Sequence, residues 1–293
     1  MKHLFIQFKR YALYEREISH KTTKAILRSI ERLYESLLEE NIKNYNTDSI
    51  REYLLTQKEK RLWTGKTFRN ERQYLKTFFS WCVREGYFKD NPVDKIEKPR
   101  LPKRLPRFIT KDQSLTILAH AEYYNWRYRF ERCRNVAIIA TFLMTGLRLN
   151  ELINLRVSDV DFVSKEVFVK EGKGRKERIV PMHPRLQSIL TNYNLDRQHL
   201  SKQSHWFFHS ARSAQRMTPK TIQTICAKVS RESGIKFTPH MLRHTMARLS
   251  LDSGLGIYQV KELLGHSSIT STEIYSSVSK EGLKHSFFSK QLF

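Results

Sequence analysis

Cysteine is scarce in this chain of 293 residues, which contains only Cys82, Cys133 and Cys226. The three are odd in number and far apart, and no CxxC pair occurs. The sequence therefore favours neither a disulfide framework nor a cysteine zinc site. This usage fits a reducing compartment, and we expect a cytoplasmic protein.

Long apolar runs are also lacking. No stretch approaches the roughly 20 apolar residues that a helix needs to cross a bilayer. The segment VAIIATFLM at 136–144 is short and has charged residues on both sides. Near the N-terminus, Arg10 and Glu15 stand where a signal peptide needs an apolar core, so we expect neither secretion nor a membrane partner.

Acidic residues are few compared with basic ones. The chain has 29 Asp and Glu against 53 Lys and Arg, which gives a formal net charge of +24. Such an imbalance indicates a polyanionic partner, with nucleic acid as the first candidate and an anionic membrane surface as the second, and the lack of apolar runs described above weakens the membrane candidate. No P-loop pattern is present, so nothing supports nucleotide hydrolysis.

The first hundred residues predict helices that carry basic rows. One long helix begins at Ser19 or His20, and a later one extends from about Thr64 to Arg84. The basic row of the first helix comprises Lys24, Arg28 and Arg32, and that of the second comprises Arg69, Arg72 and Lys76. A solvated face is one interpretation of such rows. Contact with the phosphates of a nucleic acid is the other, and the net charge favours it.

A proline-rich, basic stretch then interrupts the helical pattern. Prolines at 92, 99, 102 and 106 hold this stretch extended. Its cations include Lys103 and Arg104, which we expect to follow the same polyanion. The sequence therefore predicts a basic helical domain at 1–94 that contacts the polyanion, a linker at 95–108 and a second domain at 109–293.

The second domain mixes helical signals with one β signal. Thr110 caps a helix, and Thr218-Pro219 and Thr238-Pro239 open two more. Two further helices meet near Thr145-Gly146. The segment KEVFVKEGKGRKERIVPM at 165–182 alternates apolar and polar residues around a glycine turn, which predicts a hairpin. The fold class is thus mainly α with a small antiparallel sheet.

The helix that opens at Thr238 carries a candidate anion site. His240, Arg243 and His244 lie at i, i+3 and i+4 and share a face near the helix N-terminus. The segment HMLRH lacks the Glu of the zinc-protease pattern, so we expect no metal. For His244 we favour packing or capping over a role in chemistry.

Three other stretches supply candidate residues. In TGLRLNEL, Arg148 could meet a bound anion, or it could form a structural pair with Glu151. In EGKGRKERIVP, Lys173 lies between two glycines that allow close approach to a partner. In LLGHSSITSTEIYSSV, His266 and Tyr275 stand among small polar residues. Each signal is weak alone, and a hairpin tip or a packed tyrosine explains the last two equally well.

Taken in order, TGLRLNELINLRVSDVDF, GKGRKERIVP, TPHMLRHTMA and LLGHSSITSTEIYSSV resemble the tyrosine recombinase (phage integrase) family. The resemblance covers the chain from about Arg107 onward, and the basic helical region before it looks like the family's SAM-like core-binding domain. Within the family the chain is most similar to compact Xer-type members, because we expect no arm-binding domain before the first helices. The resemblance implies two domains that form a C-shaped clamp on DNA.

The resemblance also implies a chemistry and a set of catalytic residues. The family exchanges DNA strands through a 3′-phosphotyrosyl intermediate and a Holliday junction, without metal, ATP or another cofactor. The matching positions are Arg148, Lys173, His240, Arg243, His266 and Tyr275, with Glu151 in support. Arg248 is a further possible DNA contact.

The implied partners are double-stranded DNA with inverted-repeat sites and other copies of this chain. A homotetramer would join two sites, and the tail with Leu283, Phe287 and Phe288 would dock on a neighbouring protomer or on its own domain. A DNA translocase or another accessory protein is a further implied partner, with the nucleoid as location. The alternatives are a catalytically silent DNA-binding regulator, an RNA-binding protein and a type IB topoisomerase. Dimer resolution, transposition and integration of a mobile element use the same residues.

Overall fold

The computed structural model describes residues 2–38, 41–102, 107–170, 177–266, 268–269 and 272–273. Internal contacts divide the chain into two compact units, Met1–Arg104 and Leu105–Phe293. In the described part of the chain, no helix has the length and apolar content that a membrane crossing requires.

Among the residues that the structure describes, four α-helices build the first unit. They are α1 (Lys2–Arg10), which continues as a π-helical turn at Tyr11–Glu15, α2 (His20–Leu37), α3 (Thr47–Lys60) and α4 (Gly65–Arg84). The helices predicted to begin near Ser19 and Thr64 are confirmed, because each of these side chains accepts a hydrogen bond from a first-turn amide. Aromatic rings fill the core, where Phe8 meets Phe78 edge to face at 5.2 Å.

The basic row of α2 is divided between solvent and a partner helix. Lys24 and Arg28 are exposed, as a contact with DNA would require. The Arg32 guanidinium instead forms an ion pair with Glu71 of α4 at 2.7 Å, and Ser29 Oγ donates to the same carboxylate. Arg32 therefore holds α2 against α4, and any phosphate would have to compete with Glu71 for it.

The basic row of α4 binds the chain that follows the helix. Arg72 is 3% exposed and donates to the carbonyls of Val93, Asp94 and Ile96. Arg69 donates to the Pro99 carbonyl, and Lys76 pairs with Asp94. The contact of Arg72 with DNA stays a prediction, and in the structure its buried guanidinium supplies donors to a segment without secondary structure of its own. Lys103 and Arg104 lie outside the described residues.

Replacing Arg72 by Met is expected to destabilise the first unit by about 3 kcal/mol, because buried carbonyls would lose their donor. Chemical denaturation followed by tryptophan fluorescence measures this change. Arg28→Met is the matched control: Arg28 is exposed on α2, and its loss should leave stability nearly unchanged while weakening DNA binding. Equal stability of the two variants would contradict this account of Arg72.

In the described residues, the second unit contains seven α-helices and one sheet. The helices are α5 (Lys111–Tyr123), α6 (Arg129–Thr145), α7 (Leu149–Ile153), α8 (Pro184–Gln198), α9 (Pro219–Glu232), α10 (Pro239–Asp252) and α11 (Ile257–Leu264). The antiparallel sheet has the order β1 (Val160–Asp161), β2 (Glu166–Val169), β3 (Arg178–Pro181). Val167 pairs with both Val160 and Val180, so the buried face is continuous across the sheet.

The predicted fold class is confirmed in this unit. The hairpin strands, the joint at Gly146 and the two Thr-Pro helix starts all occur where the sequence indicates them. The sequence patterns did not predict β1, α8 or α11. The hairpin turn at 171–176, which includes Lys173, lies outside the described residues.

Helix α6 lies at the centre of the second unit. Ile138, Ile139 and Phe142 are fully buried, and α5, α8 and α10 pack around the helix. Buried residues occur on every side of α6, which is the pattern of a helix enclosed by its neighbours. This enclosure fixes the C-terminal end of α6, where the candidate site begins.

Candidate active site

The candidate site is built around the C-terminal end of α11. Gly265 ends the helix in the left-handed conformation with φ of 62°. Three successive carbonyls then each accept a hydrogen bond from a different arginine. The bonds are Arg178 Nε to Leu263 O at 2.8 Å, Arg243 Nη2 to Leu264 O at 2.7 Å and Arg148 Nη2 to Gly265 O at 2.8 Å. The helix end therefore gathers three guanidinium groups at one place.

Glu151 is the acidic centre of the same cluster. Its side chain is 6% exposed and pairs with Arg148 at 2.6 Å and with Arg178 at 2.7 Å. Arg243 lies 4.0 Å from the same carboxylate. Among the residues that the structure describes, three guanidinium groups thus surround one carboxylate, and positive charge is in excess. A buried excess of positive charge favours the binding of an anionic ligand.

Local sequence explains how Arg148 reaches the cluster. Helix α6 ends at Thr145, and Gly146 turns the chain with φ of 64°. Arg148 then stands at the N-cap of α7, where its backbone amide donates to Glu151 at 2.8 Å. Arg243 of α10 secures the turn, because its Nη1 donates to the Gly146 carbonyl at 2.6 Å. The segment TGLRLNEL is therefore a helix end, a turn and a new helix start.

Gly146→Ala is expected to destabilise the protein by about 3 kcal/mol, from left-handed strain and overpacking. A Cβ at Gly146 would lie 2.7 Å from Leu264 Cδ2 and 3.1 Å from Met246 Sδ. Gly234→Ala is the matched control, because Gly234 also has positive φ but a Cβ there would have no neighbouring atom within 4 Å, so only the strain remains. Chemical denaturation compares the two variants. A Gly146 variant no less stable than the Gly234 variant would refute the packing argument.

His240, His244 and His266 lie close to the guanidinium cluster. His240 is exposed and stacks on half-buried His244, with ring centroids 5.6 Å apart. Burial, reinforced by the charges of His240 and Arg243, lowers the pKa of His244 to about 4. Burial also lowers the pKa of His266 to about 4, with further contributions from Arg243 and Arg148. Both rings are therefore neutral at pH 7.

The depressed pKa of His266 predicts a stability that depends on pH. Between pH 6.5 and 4, His266 is protonated in the unfolded chain but neutral in the folded chain. The free energy of unfolding therefore falls as the solution is acidified. His266→Gln is expected to reduce this loss by about 1 kcal/mol at pH 5, after solvent screening is allowed for. Denaturation curves of both proteins at pH 7 and pH 5 measure the difference. An equal loss of stability between pH 7 and pH 5 in the two proteins would contradict the prediction.

The structure brings together four of the residues singled out in the sequence. Arg148, Glu151, Arg243 and His266 share one cluster. His266 Nδ1 lies 2.9 Å from Thr272 Oγ1, which orients its ring. Lys173, Tyr275 and the tail residues at 283, 287 and 288 lie outside the described residues.

Two arginines require a changed interpretation. Arg248 is 7% exposed, donates to Asp252 at 2.8 Å and lies over the Phe108 ring, so it has a structural role, and its contact with DNA stays a prediction. Arg178 was missed. It lies on β3 on the same face as buried Val180, and this alternation is a signal that could have identified it as an inward-facing charge.

No metal centre occurs in the part of the chain that the structure describes. No group of three or more His, Cys, Asp or Glu side chains there could hold an ion. The cations of the cluster are instead guanidinium groups, which bind phosphate through paired N–H donors. The described side chains can therefore bind and polarise a phosphodiester directly.

Two known protein family models together match most of the chain. Residues 107–281 match the phage integrase family, and residues 5–86 match the phage integrase N-terminal SAM-like domain. A tyrosine recombinase XerC of Chlamydia caviae is 32% identical over 80% of this chain and 74% of that protein. A tyrosine recombinase XerC of Pediococcus pentosaceus is 31% identical over 96% of this chain and 95% of that protein.

Solved structures share the fold at lower identity. The XerH site-specific recombinase bound to palindromic difH substrate, in a post-cleavage complex, is 20% identical with a TM-score of 0.75, covering 91% of this chain and 78% of that one. A lambda integrase(75-356) dimer bound to a COC′ core site is also 20% identical, with a TM-score of 0.74 and coverage of 96% and 97%. These likenesses agree with the fold described above.

Proposed function

The chain belongs to the phage integrase family of tyrosine recombinases, and from that premise we propose how its residues divide the chemistry of DNA strand exchange. The observation that carries the proposal is the guanidinium cluster at the end of α11. It offers a buried, positively charged site of the kind that a phosphodiester under attack needs.

Tyr275 is the proposed nucleophile. Its Oη attacks the scissile phosphorus, the bond to the 5′ oxygen breaks, and a 3′-phosphotyrosyl link and a free 5′-hydroxyl result. A free tyrosine has a pKa of about 10, so the attack needs a base. His240 takes the phenolic proton and Lys173 protonates the departing 5′ oxygen. Attack by the 5′-hydroxyl of a second strand reverses these steps, and the phosphodiester re-forms without ATP or a cofactor.

Arg148 and Arg243 stabilise the charge that develops on the non-bridging oxygens. Carbonyls and Glu151 hold both guanidinium groups before substrate arrives, so little reorganisation accompanies the reaction. His266 contributes as a neutral donor. When its Nδ1 accepts from the Thr272 hydroxyl, Nε2 carries the proton and donates to the phosphate.

The assembly that would carry out exchange is a homotetramer on two inverted-repeat DNA sites. Each protomer would bind DNA through both of its units, with its C-terminal tail docked on a neighbour. In the first unit, Lys24 and Arg28 are exposed on α2, and they would contact the phosphates of DNA. The related XerC and XerA recombinases make an Xer-type role at the nucleoid the first candidate, with a DNA translocase as possible accessory partner.

Sequencing the DNA that becomes covalently attached to the protein in cells tests this function. We expect one recurring site with two inverted half-sites, with protein on the 3′ phosphate. A single chromosomal locus would support dimer resolution, and the ends of a mobile element would support integration or transposition. DNA that is bound but never covalently attached would contradict the proposal and support the catalytically silent regulator.

A further inference from the structure

Arg178 joins three separate segments of the second unit. It lies on β3, and its side chain is 7% exposed. Its Nε donates to the Leu263 carbonyl at the end of α11. Its Nη1 and Nη2 donate to the two carboxylate oxygens of Glu151 on α7, at 3.2 and 2.7 Å. One guanidinium therefore connects the sheet to both helix ends that form the candidate site.

We propose that Arg178 is a positioning residue for the phosphate site, holding Glu151 and the end of α11 so that Arg148 and His266 meet the scissile phosphate. The proposal rests on the roles proposed above for those two residues. Arg178 itself need not touch DNA. Its effect reaches the phosphate through the groups that it binds.

The bonds to Glu151 fix the plane of its carboxylate. Oε1 accepts from Nη1 of Arg148 at 2.6 Å and from Nη1 of Arg178 at 3.2 Å. Oε2 accepts from the Arg148 backbone amide at 2.8 Å and from Arg178 Nη2 at 2.7 Å. Without Arg178, each oxygen would lose one of these donors, and the plane of the carboxylate would be held less firmly.

The packing of Arg178 against Gly265 fixes the residue that precedes His266. A Cβ at Gly265 would lie 2.9 Å from Arg178 Nη1 and 3.1 Å from its Cδ, so only glycine allows this approach. The same guanidinium holds the carbonyl of Leu263. The start of the segment that carries His266 is thus set from one side by Arg178.

An arginine suits this position better than a lysine. The planar guanidinium presents donors in a fixed fork, which allows Arg178 to bind a carboxylate bidentately and a carbonyl at the same time. A lysine ammonium would keep the charge but could not span both acceptors in this geometry. Arg178→Lys therefore separates the charge of the side chain from its geometry.

The test measures single-turnover cleavage of a nicked DNA carrying the site recovered from cells. Wild type, Arg178→Met, Arg178→Lys and Arg185→Met are compared, because Arg185 is exposed on α8 and controls for loss of one charge. Each protein is assayed on a scissile phosphate and on a scissile methylphosphonate, in which a methyl group replaces one non-bridging oxygen and removes its charge. DNA affinity and melting temperature are measured alongside.

On the phosphate substrate, Arg178→Met is expected to cleave about 10²-fold more slowly than wild type at saturating protein, with unchanged DNA affinity. Arg178→Lys should lose at least about tenfold, and Arg185→Met should cleave like wild type. On the methylphosphonate substrate, the rate difference between wild type and the Arg178 variants should be smaller by at least about tenfold. The reason is that less negative charge develops for Arg148 to stabilise.

Equal deficits on both substrates would overturn the proposal and make Arg178 a residue of general stability. Wild-type cleavage by Arg178→Lys would overturn it as well, and this variant decides the matter if Arg178→Met does not fold. A failure of the wild-type protein to form a covalent product would overturn the proposed function, and the inference with it. Wild-type cleavage with unimpaired Arg178 variants would overturn the inference alone.

Discussion

Tyr275→Phe is expected to abolish covalent capture of a nicked DNA site while leaving DNA binding intact. The phenolic oxygen is the only atom that this substitution removes, and in the proposed mechanism it is the atom that forms the bond to phosphorus. Loss of a nucleophile lowers the rate of a covalent step by at least about 10⁴-fold. Covalent complexes that survive denaturing electrophoresis measure the change, and gel shifts under native conditions measure the binding.

Tyr258→Phe is the matched control for this experiment. Tyr258 belongs to α11, the helix whose end forms the candidate site, and is 69% exposed. Its hydroxyl should be dispensable, so this variant should capture DNA at the wild-type rate. Capture by the Tyr275 variant at a rate near wild type would show that another residue attacks the phosphate.

Arg243→Met is expected to lower the cleavage rate by about 10²- to 10³-fold, the typical effect of deleting a donor that stabilises developing negative charge. The substitution has a second consequence. Arg243 is 3% exposed and donates to the carbonyls of Gly146 and Leu264, which would lose their partner. Each such loss costs about 1–3 kcal/mol, so the variant should also melt at lower temperature.

Arg248→Met separates the two effects of the Arg243 substitution. Arg248 lies on the same helix, is similarly buried, and binds Asp252 and the Phe108 ring. Its loss should lower stability without removing charge from the phosphate site. Single-turnover rates measured well below both melting temperatures should therefore fall only for the Arg243 variant. Comparable rate losses in both variants would contradict a direct role for Arg243.

The sequence predicts much of the fold because its signals are local. Ser19, Thr64, Thr218 and Thr238 each precede a helix and cap it with a side-chain oxygen. The hairpin strands likewise follow from alternation over a few residues. Four of the residues in the cluster could be identified from motif order, because Arg148, Glu151, Arg243 and His266 stand in short, recognisable segments.

Residues whose partners are distant in the chain could not be predicted in this way. Arg72 looks like part of an exposed basic row, yet its acceptors are carbonyls more than twenty residues later in a segment that lacks secondary structure. Arg178 finds its carboxylate in Glu151 and its carbonyl in Leu263, and only the folded chain brings these together. A row of cations on a helix therefore does not distinguish a DNA contact from an internal donor.

Identification of the residue that becomes joined to DNA is the decisive measurement for the proposed mechanism. After reaction with a nicked site, nuclease and trypsin digestion should leave a nucleotide remnant on the peptide that spans residues 262–280. Fragmentation by mass spectrometry should place the remnant on the Tyr275 oxygen, through the 3′ phosphate. A remnant on His266, on a serine of this peptide or on any other peptide would contradict the account.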